Sequence, residues 1–166
     1  MPNYRRAFVP GGCWFFTVNL LERRKALLVD RIDALRAAVV KTRERYPFVI
    51  DAVVVLPDHI HAVWTLPPGD ADFSLRWRLI KSRFSQTLPK QERISDVRRL
   101  RNERGIWQRR FWEHLIRDCA RRHFSGRLGG RHPCKRTVRR EIKGVAGAAA
   151  DVTRHCEKKR WRITLR

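Results

Sequence analysis

Apolar and β-branched residues gather in short blocks along the first 118 positions, with turn-forming and charged stretches between them. CWFFTVNL at 13–20, entered through Gly11-Gly12, predicts a strand. Over 30–46, Ile32, Leu35, Val39 and Tyr46 recur at helical spacing, Arg36, Arg43 and Glu44 fall off that stripe, and Asp30 is placed to cap the start. FVIDAVVV at 48–55 and HIHAVWTL at 59–66, joined by Leu56-Pro57-Asp58, predict a hairpin. LPPGDAD at 66–72 predicts a loop whose Asp72 caps a helix over 73–88. There Leu75, Leu79, Ile80, Phe84 and Leu88 form the apolar face, and Arg76, Lys81 and Arg83 lie off it. Residues 90–106 are polar and basic, the pattern of a loop or a loosely held helix, and FWEHLIR at 111–117 predicts a fourth strand. The order β-α-β-β-α-β predicts an α+β, ferredoxin-like core, with an antiparallel sheet and two helices on one face.

Composition changes the picture at position 118. The chain holds 38 Lys+Arg against 16 Asp+Glu, a net charge of +22. The last 48 residues, with 15 basic and 3 acidic side chains, carry more of that excess than the first 118, with 23 and 13. They show no clean period beyond a short helical stretch near 136–158. The expected organisation is therefore a folded unit at 1–118 and a basic, Arg- and Cys-rich tail at 119–166, irregular or partly helical. A polyanion is the natural partner of such charge, because neutralising phosphates releases condensed counterions. Membrane association would favour one basic amphipathic helix, but the arginines are spread along the chain. No apolar run approaches the ~18–20 residues of a membrane span. MPNYRRAFVPGG has no apolar signal region, so the expected location is cytoplasmic. Cys13, Cys119, Cys134 and Cys156 form no CxxC pair, and the cysteines and histidines of the tail match no zinc-ligand spacing.

The candidate chemistry lies in Pro57-Asp58-His59-Ile60-His61. Side chains alternate along a strand, so His59 and His61 project from one face with backbones ~6–7 Å apart. Ile60, Ala62, Trp64 and Leu66 then point the other way, into the core. Two imidazoles so placed can converge on a divalent ion. Nitrogen ligands suit Mn²⁺ or Zn²⁺, and Mg²⁺ is accepted where phosphate oxygens and water complete the shell. Near nucleic acid, such an ion polarises a phosphoryl oxygen.

Over residues 3–118 the chain resembles the REP-associated tyrosine transposases, a branch of the single-tyrosine HUH transposases. The resemblance is carried by NYRRAFVPGG with WFFTVNLLERR, by LPDHIHAVWTLPPGDADFSLRWRLIKSRFS and by GIWQRRFWEHLIRD, in that order. It implies that His59 and His61 bind Mg²⁺ or Mn²⁺ at a scissile phosphate. It implies that a tyrosine on a following helix attacks this phosphate, forming a 5′-phosphotyrosine link on single-stranded DNA beside a REP-like hairpin. It also implies that a polar residue of that helix completes the metal shell, that Arg5 and Arg6 reach the hairpin, and that the protein dimerises.

The pattern departs from the family after Asp118. No tyrosine followed by a His/Asn-Pro-Val-Lys-type segment occurs in CARRHFSGRLGGRHPCKRTVRREIKG, and the chain's two tyrosines are Tyr4 and Tyr46. The reading is that residues 119–166 are a frameshifted version of the nucleophile's helix, which leaves no catalytic tyrosine. Arg76, Lys81, Arg83, Arg109 and Arg110 are expected on DNA phosphates. Trp107 is placed either to stack on an unpaired base or to pack into the core, and His114 to contact metal or DNA or to sit half-exposed on its strand. Three functions stay open at this point: a hairpin-directed strand transferase, a non-catalytic binder of single-stranded or hairpin DNA, and a ferredoxin-like RNA module. The last lacks a visible run of sheet aromatics.

Overall fold

A computed structural model describes residues 7–23, 26–90, 92, 94–116 and the backbone of Thr164–Leu165. The elements are β1 (Cys13–Asn19), α1 (Leu27–Asp30), α2 (Ile32–Arg45), β2 (Val49–Val55), β3 (His59–Thr65), α3 (Phe73–Gln86), α4 (Asp96–Leu100), β4 (Trp112–Leu115) and β5 (Thr164–Leu165). The sheet order is β4-β1-β3-β2-β5. The first four strands pair antiparallel, which is the expected ferredoxin-like arrangement. The backbone of β5 adds a short parallel edge to β2, which the pattern of the tail does not announce. The rest of 119–166 lies outside the described residues, as do Arg5 and Arg6. Among the described residues no helix is long and apolar enough to cross a membrane.

One face of the sheet and the two long helices enclose the main core. Trp14, Phe16, Val18 and Leu20 of β1 and its end meet Ile60, Ala62, Trp64 and Leu66 of β3 and its end, as the alternation predicts. Phe73, Trp77, Ile80 and Phe84 close over them from α3. The rings of Trp64 and Trp77 stack at 4.2 Å, and Phe48 lies 4.3 Å from Trp64. Burying one such side chain stabilises by roughly 1.5–3 kcal/mol, so this aromatic cluster fixes the helices on the sheet. The opposite face is also buried at Phe15, Val63, Cys13 and Ile116, with Ala52 and Val54 packed beside them. β2 keeps its alternation in phase with β3 through a bulge: Ile50 pairs Trp64 and Ala52 pairs Val63, leaving Asp51 as the extra residue, which accepts a bond from Thr65 Oγ1 at 2.7 Å.

Two details correct the sequence reading. Asp30 does not cap the long helix. It ends the short α1, and Arg31, with φ −119°, separates the two helices without a side-chain cap. The apolar face of α3 runs through Phe73, Trp77, Ile80 and Phe84, so Arg76 falls on the buried side while Leu75 and Leu79 are only half-buried. Asp72 caps α3 as expected, accepting from the Leu75 amide at 2.8 Å.

Candidate metal and nucleic-acid site

The turn at Leu56–His59 closes with the Leu56 amide donating to the His59 carbonyl at 2.9 Å, and the Leu20 amide ties Asp58 O to the end of β1 at 2.8 Å. His59 thus starts β3 beside Asn19, and His61 lies beside Thr17. The two imidazoles share a face, with centroids 4.8 Å apart and ring planes at 82°.

Each ring is held by its Nδ1. His59 Nδ1 lies 2.7 Å from Asp58 Oδ1, and the other carboxylate oxygen accepts from Arg23 Nε at 2.7 Å. His61 Nδ1 lies 3.0 Å from Thr17 Oγ1. A carboxylate only accepts, so His59 carries its proton on Nδ1 and leaves the Nε2 lone pair free for a ligand bond. Orientation by a carboxylate is the usual support of a metal-binding histidine. With Thr17 Oγ1 as acceptor, His61 presents Nε2 in the same way.

The electrostatics keep His61 unprotonated. Burial, and then the charge of His59, pushes His61 down to about 4, so at neutral pH it is a neutral ligand. Burial pushes the Asp58 carboxyl up, but hydrogen bonds and charges from Arg23 and His59 together outweigh it and hold the group below its ordinary range. Among the described residues no third His, Cys, Asp or Glu joins the pair into a metal-holding group. Two protein nitrogens fit an ion that draws the rest of its shell from water and phosphate. They do not fit a closed structural zinc site.

The expected DNA contacts divide. Arg76 is corrected: it is 1% exposed and its guanidinium is bound to Asp70, Asp72 O and Pro47 O, out of reach of any phosphate. Lys81 is half-buried, donating to Gln108 O at 3.1 Å and lying over the rings of Trp107 and Phe111. Arg83 is half-buried and donates to Thr42 Oγ1 at 2.6 Å, joining α3 to α2. Trp107 packs against Phe84 and donates to Ser85 Oγ at 3.2 Å, so of its two expected places it takes the edge of the core. Arg109 is exposed and paired with Glu103, and Arg110 is exposed. His114 is exposed on β4, on the face of the His pair, opposite Phe15. Sequence reasoning missed Asp58, Thr17 and Arg23 as supports. Asp58 was legible as the residue before His59, but Thr17 became a partner only through the register of β1 on β3.

Tyr46 cannot serve this site. It follows α2 and precedes β2, whose Val49 pairs with Thr65. His59 lies six residues back along β3, about 20 Å away at ~3.3–3.4 Å per residue. Tyr4 lies outside the described residues.

No family profile matches the sequence. The chain is 49% identical over 118 residues to a REP-associated tyrosine transposase of Escherichia coli (strain K12), an alignment spanning 71% of this chain and 64% of that protein. It therefore spans just under two thirds of that relative. It is 48% identical over 119 residues to a Haemophilus influenzae protein named for the same group, spanning 71% of this chain and 68% of the relative. A solved structure of a REP-associated tyrosine transposase bound to a REP hairpin matches with a TM-score of 0.59 at 37% identity, covering 98% of this chain and 99% of that one. With the predicted sheet, the His pair and this identity in agreement, the chain belongs to the REP-associated tyrosine transposase family.

Proposed function

We propose that the chain binds single-stranded DNA beside a REP-like hairpin and holds Mg²⁺ or Mn²⁺ through His59 and His61 at a phosphate of that strand. The observation that supports it is the tethering of both Nδ1 atoms, by Asp58 and by Thr17, which leaves two Nε2 atoms on one face. The chemistry supplied by such a cation is polarisation of a phosphoryl oxygen and orientation of the scissile group. The chain's own part is to keep His61 neutral, to fix the tautomer of His59, and to bring a polyanion to the site with a net charge of +22. Exposed Arg109 and Arg110, with Arg5 and Arg6, are the proposed backbone contacts.

Cutting needs a nucleophile. Tyr46 stands at the wrong end of the sheet, and 119–166 contains no tyrosine. The proposed activity is therefore binding without phosphotyrosine formation, in the cytoplasm, by a unit at 1–118 followed by a frameshifted tail. Mn²⁺ titration followed by electron paramagnetic resonance, with and without a hairpin oligonucleotide, tests the metal reading. His59→Ala and His61→Ala are each expected to abolish binding, and unchanged binding in both refutes the assignment. Incubating a 5′-labelled hairpin strand with protein and Mn²⁺ tests the rest, because a covalent protein–DNA adduct is incompatible with a lost nucleophile.

A further inference from the structure

β4 places two exposed rings on the face of the His pair. Trp112 is 52% exposed, and its ring lies parallel to that of His114, at 4° with centroids 5.7 Å apart. The residue between them, Glu113, turns to the core side and is buried. The core does not require this tryptophan, whose ring leaves half its surface in water. The position is nonetheless fixed. Phe15, fully buried, meets Trp112 edge-on at 5.7 Å and stacks on His61 at 5.7 Å. Thr17 pairs Trp112 on one side and His61 on the other, so the three form one row across the sheet. Two interstrand spacings of ~4.8 Å put Trp112 about 10 Å from His61.

We propose that Trp112, backed by His114, is a stacking platform for an unpaired base of the DNA strand whose phosphate lies at His59 and His61. The inference rests on the function proposed above and adds the element that grips a base. An indole face accepts any base, because every base has a π-face. The row through Thr17 sets the stacked base roughly one or two nucleotides from the phosphate at the histidines. The platform thus positions the strand, and sequence selection lies elsewhere.

The test uses the full chain and a hairpin oligonucleotide with a single-stranded flank, carrying 2-aminopurine at one flank position at a time. Binding is expected to change the fluorescence at one position above all others. Trp112→Ala should abolish that change and weaken binding of the flanked hairpin about 5- to 100-fold, while Trp112→Phe keeps the signal. A blunt hairpin should bind wild type and Trp112→Ala alike, and far-ultraviolet circular dichroism should show both folded. An abasic site at the responsive position should weaken the wild type and leave Trp112→Ala unchanged. Equal losses in both proteins, or a Trp112→Ala chain that binds the flank as wild type does, overturn the platform. Loss of Mn²⁺ dependence with the 2-aminopurine signal intact refutes the metal reading alone. Failure of the wild type to bind any of these oligonucleotides overturns both.

Discussion

Replacing Asp70 by Asn should destabilise the fold by about 2–4 kcal/mol at neutral pH. Arg76 is 1% exposed, and Asp70 is its counterion, accepting from Nη1 at 3.1 Å and from Nη2 at 2.6 Å. The remaining guanidinium bonds go to neutral carbonyls of Asp72, at 2.9 Å, and Pro47, at 2.8 Å. Asparagine keeps an acceptor for the Asp72 amide, which bonds Asp70 Oδ1 at 2.8 Å, so the change removes mainly the charge. Removing one partner of a buried pair costs ~3–5 kcal/mol. The Asp70 side chain is 35% exposed, so water reaches the vacated place and the figure falls. For a chain of this length, the melting temperature should drop by roughly 5–15 °C. The pH dependence has a definite sign. The hydrogen bond from Arg76 leads in holding the Asp70 carboxyl below its ordinary 3.8, against the upward push of burial. Its contribution is then fully present above pH ~4 and is lost as pH falls through the folded-state value. The difference between wild type and Asp70→Asn, measured by urea denaturation, should therefore shrink below pH ~4. Adding Arg76→Met to Asp70→Asn should restore much of the loss, because it removes the buried charge left without a counterion. Arg76→Met alone should leave the salt slope of DNA binding untouched. A cost under ~0.5 kcal/mol at pH 7, or a flatter salt slope in Arg76→Met, would show that this arginine faces solvent or DNA.

Other substitutions test the site and its frame. Asp58→Asn should weaken Mn²⁺ binding about 10- to 100-fold without unfolding the chain, by freeing the His59 ring; unchanged affinity in the same titration contradicts that support. Arg110→Ala should weaken DNA binding evenly across sequences and lower the salt slope by about 1, whereas a loss confined to one sequence would mean base readout. Arg104 donates to the carbonyls of Ser85, Leu88 and Pro89 at the end of α3 and to Glu92. Arg104→Ala should cost about 1.5–3 kcal/mol in urea denaturation, and Arg104→Lys should fail to recover it, since an ammonium lacks the planar fork. Gly12→Ala should cost about 1–3 kcal/mol, because the new Cβ would stand 2.8 Å from Trp14 Nε1 and 2.9 Å from the Val9 carbonyl; a neutral result would mean that this turn gives way freely.

What the chain discloses by itself depends on the range of the interaction. Strand alternation is local, so the opposed faces of His61 and Ile60 were readable from adjacent letters. The α3 stripe is also local, but a stripe drawn through Leu75 and Leu79 leaves out Phe73 and Trp77. Including those aromatics turns the face enough to bury Arg76. A buried arginine becomes credible only when its carboxylate is known, and Asp70 reaches it from the preceding loop, where sequence shows only a turn. The bulge at Asp51 was hidden for a similar reason: VIDAVVV reads as an almost continuous apolar run, and its phase is set by β3. The partnership of Thr17 with His61 needs the pairing register of strands 44 residues apart.

Among the described residues, the candidate metal site is built from the first half of the chain. His59 and His61 come from β3, Thr17 from β1, Asp58 from the turn before β3, and Arg23 from the segment after β1. Asp58 is a neighbour of His59 in sequence, whereas Thr17 and Arg23 reach the site because β1 and the segment after it lie against the hairpin. The attacking tyrosine that the family resemblance implies belongs to a helix beyond that point, and residues 119–166 contain no tyrosine. On the proposed function, a sequence change confined to the last third removes the nucleophile, while His59, His61, Phe15 and Trp112 hold their places through the pairing of β1 with β3 and β4. On the same reading, metal binding and strand cleavage are separable, and retained Mn²⁺ affinity without adduct formation is the combination expected of this chain.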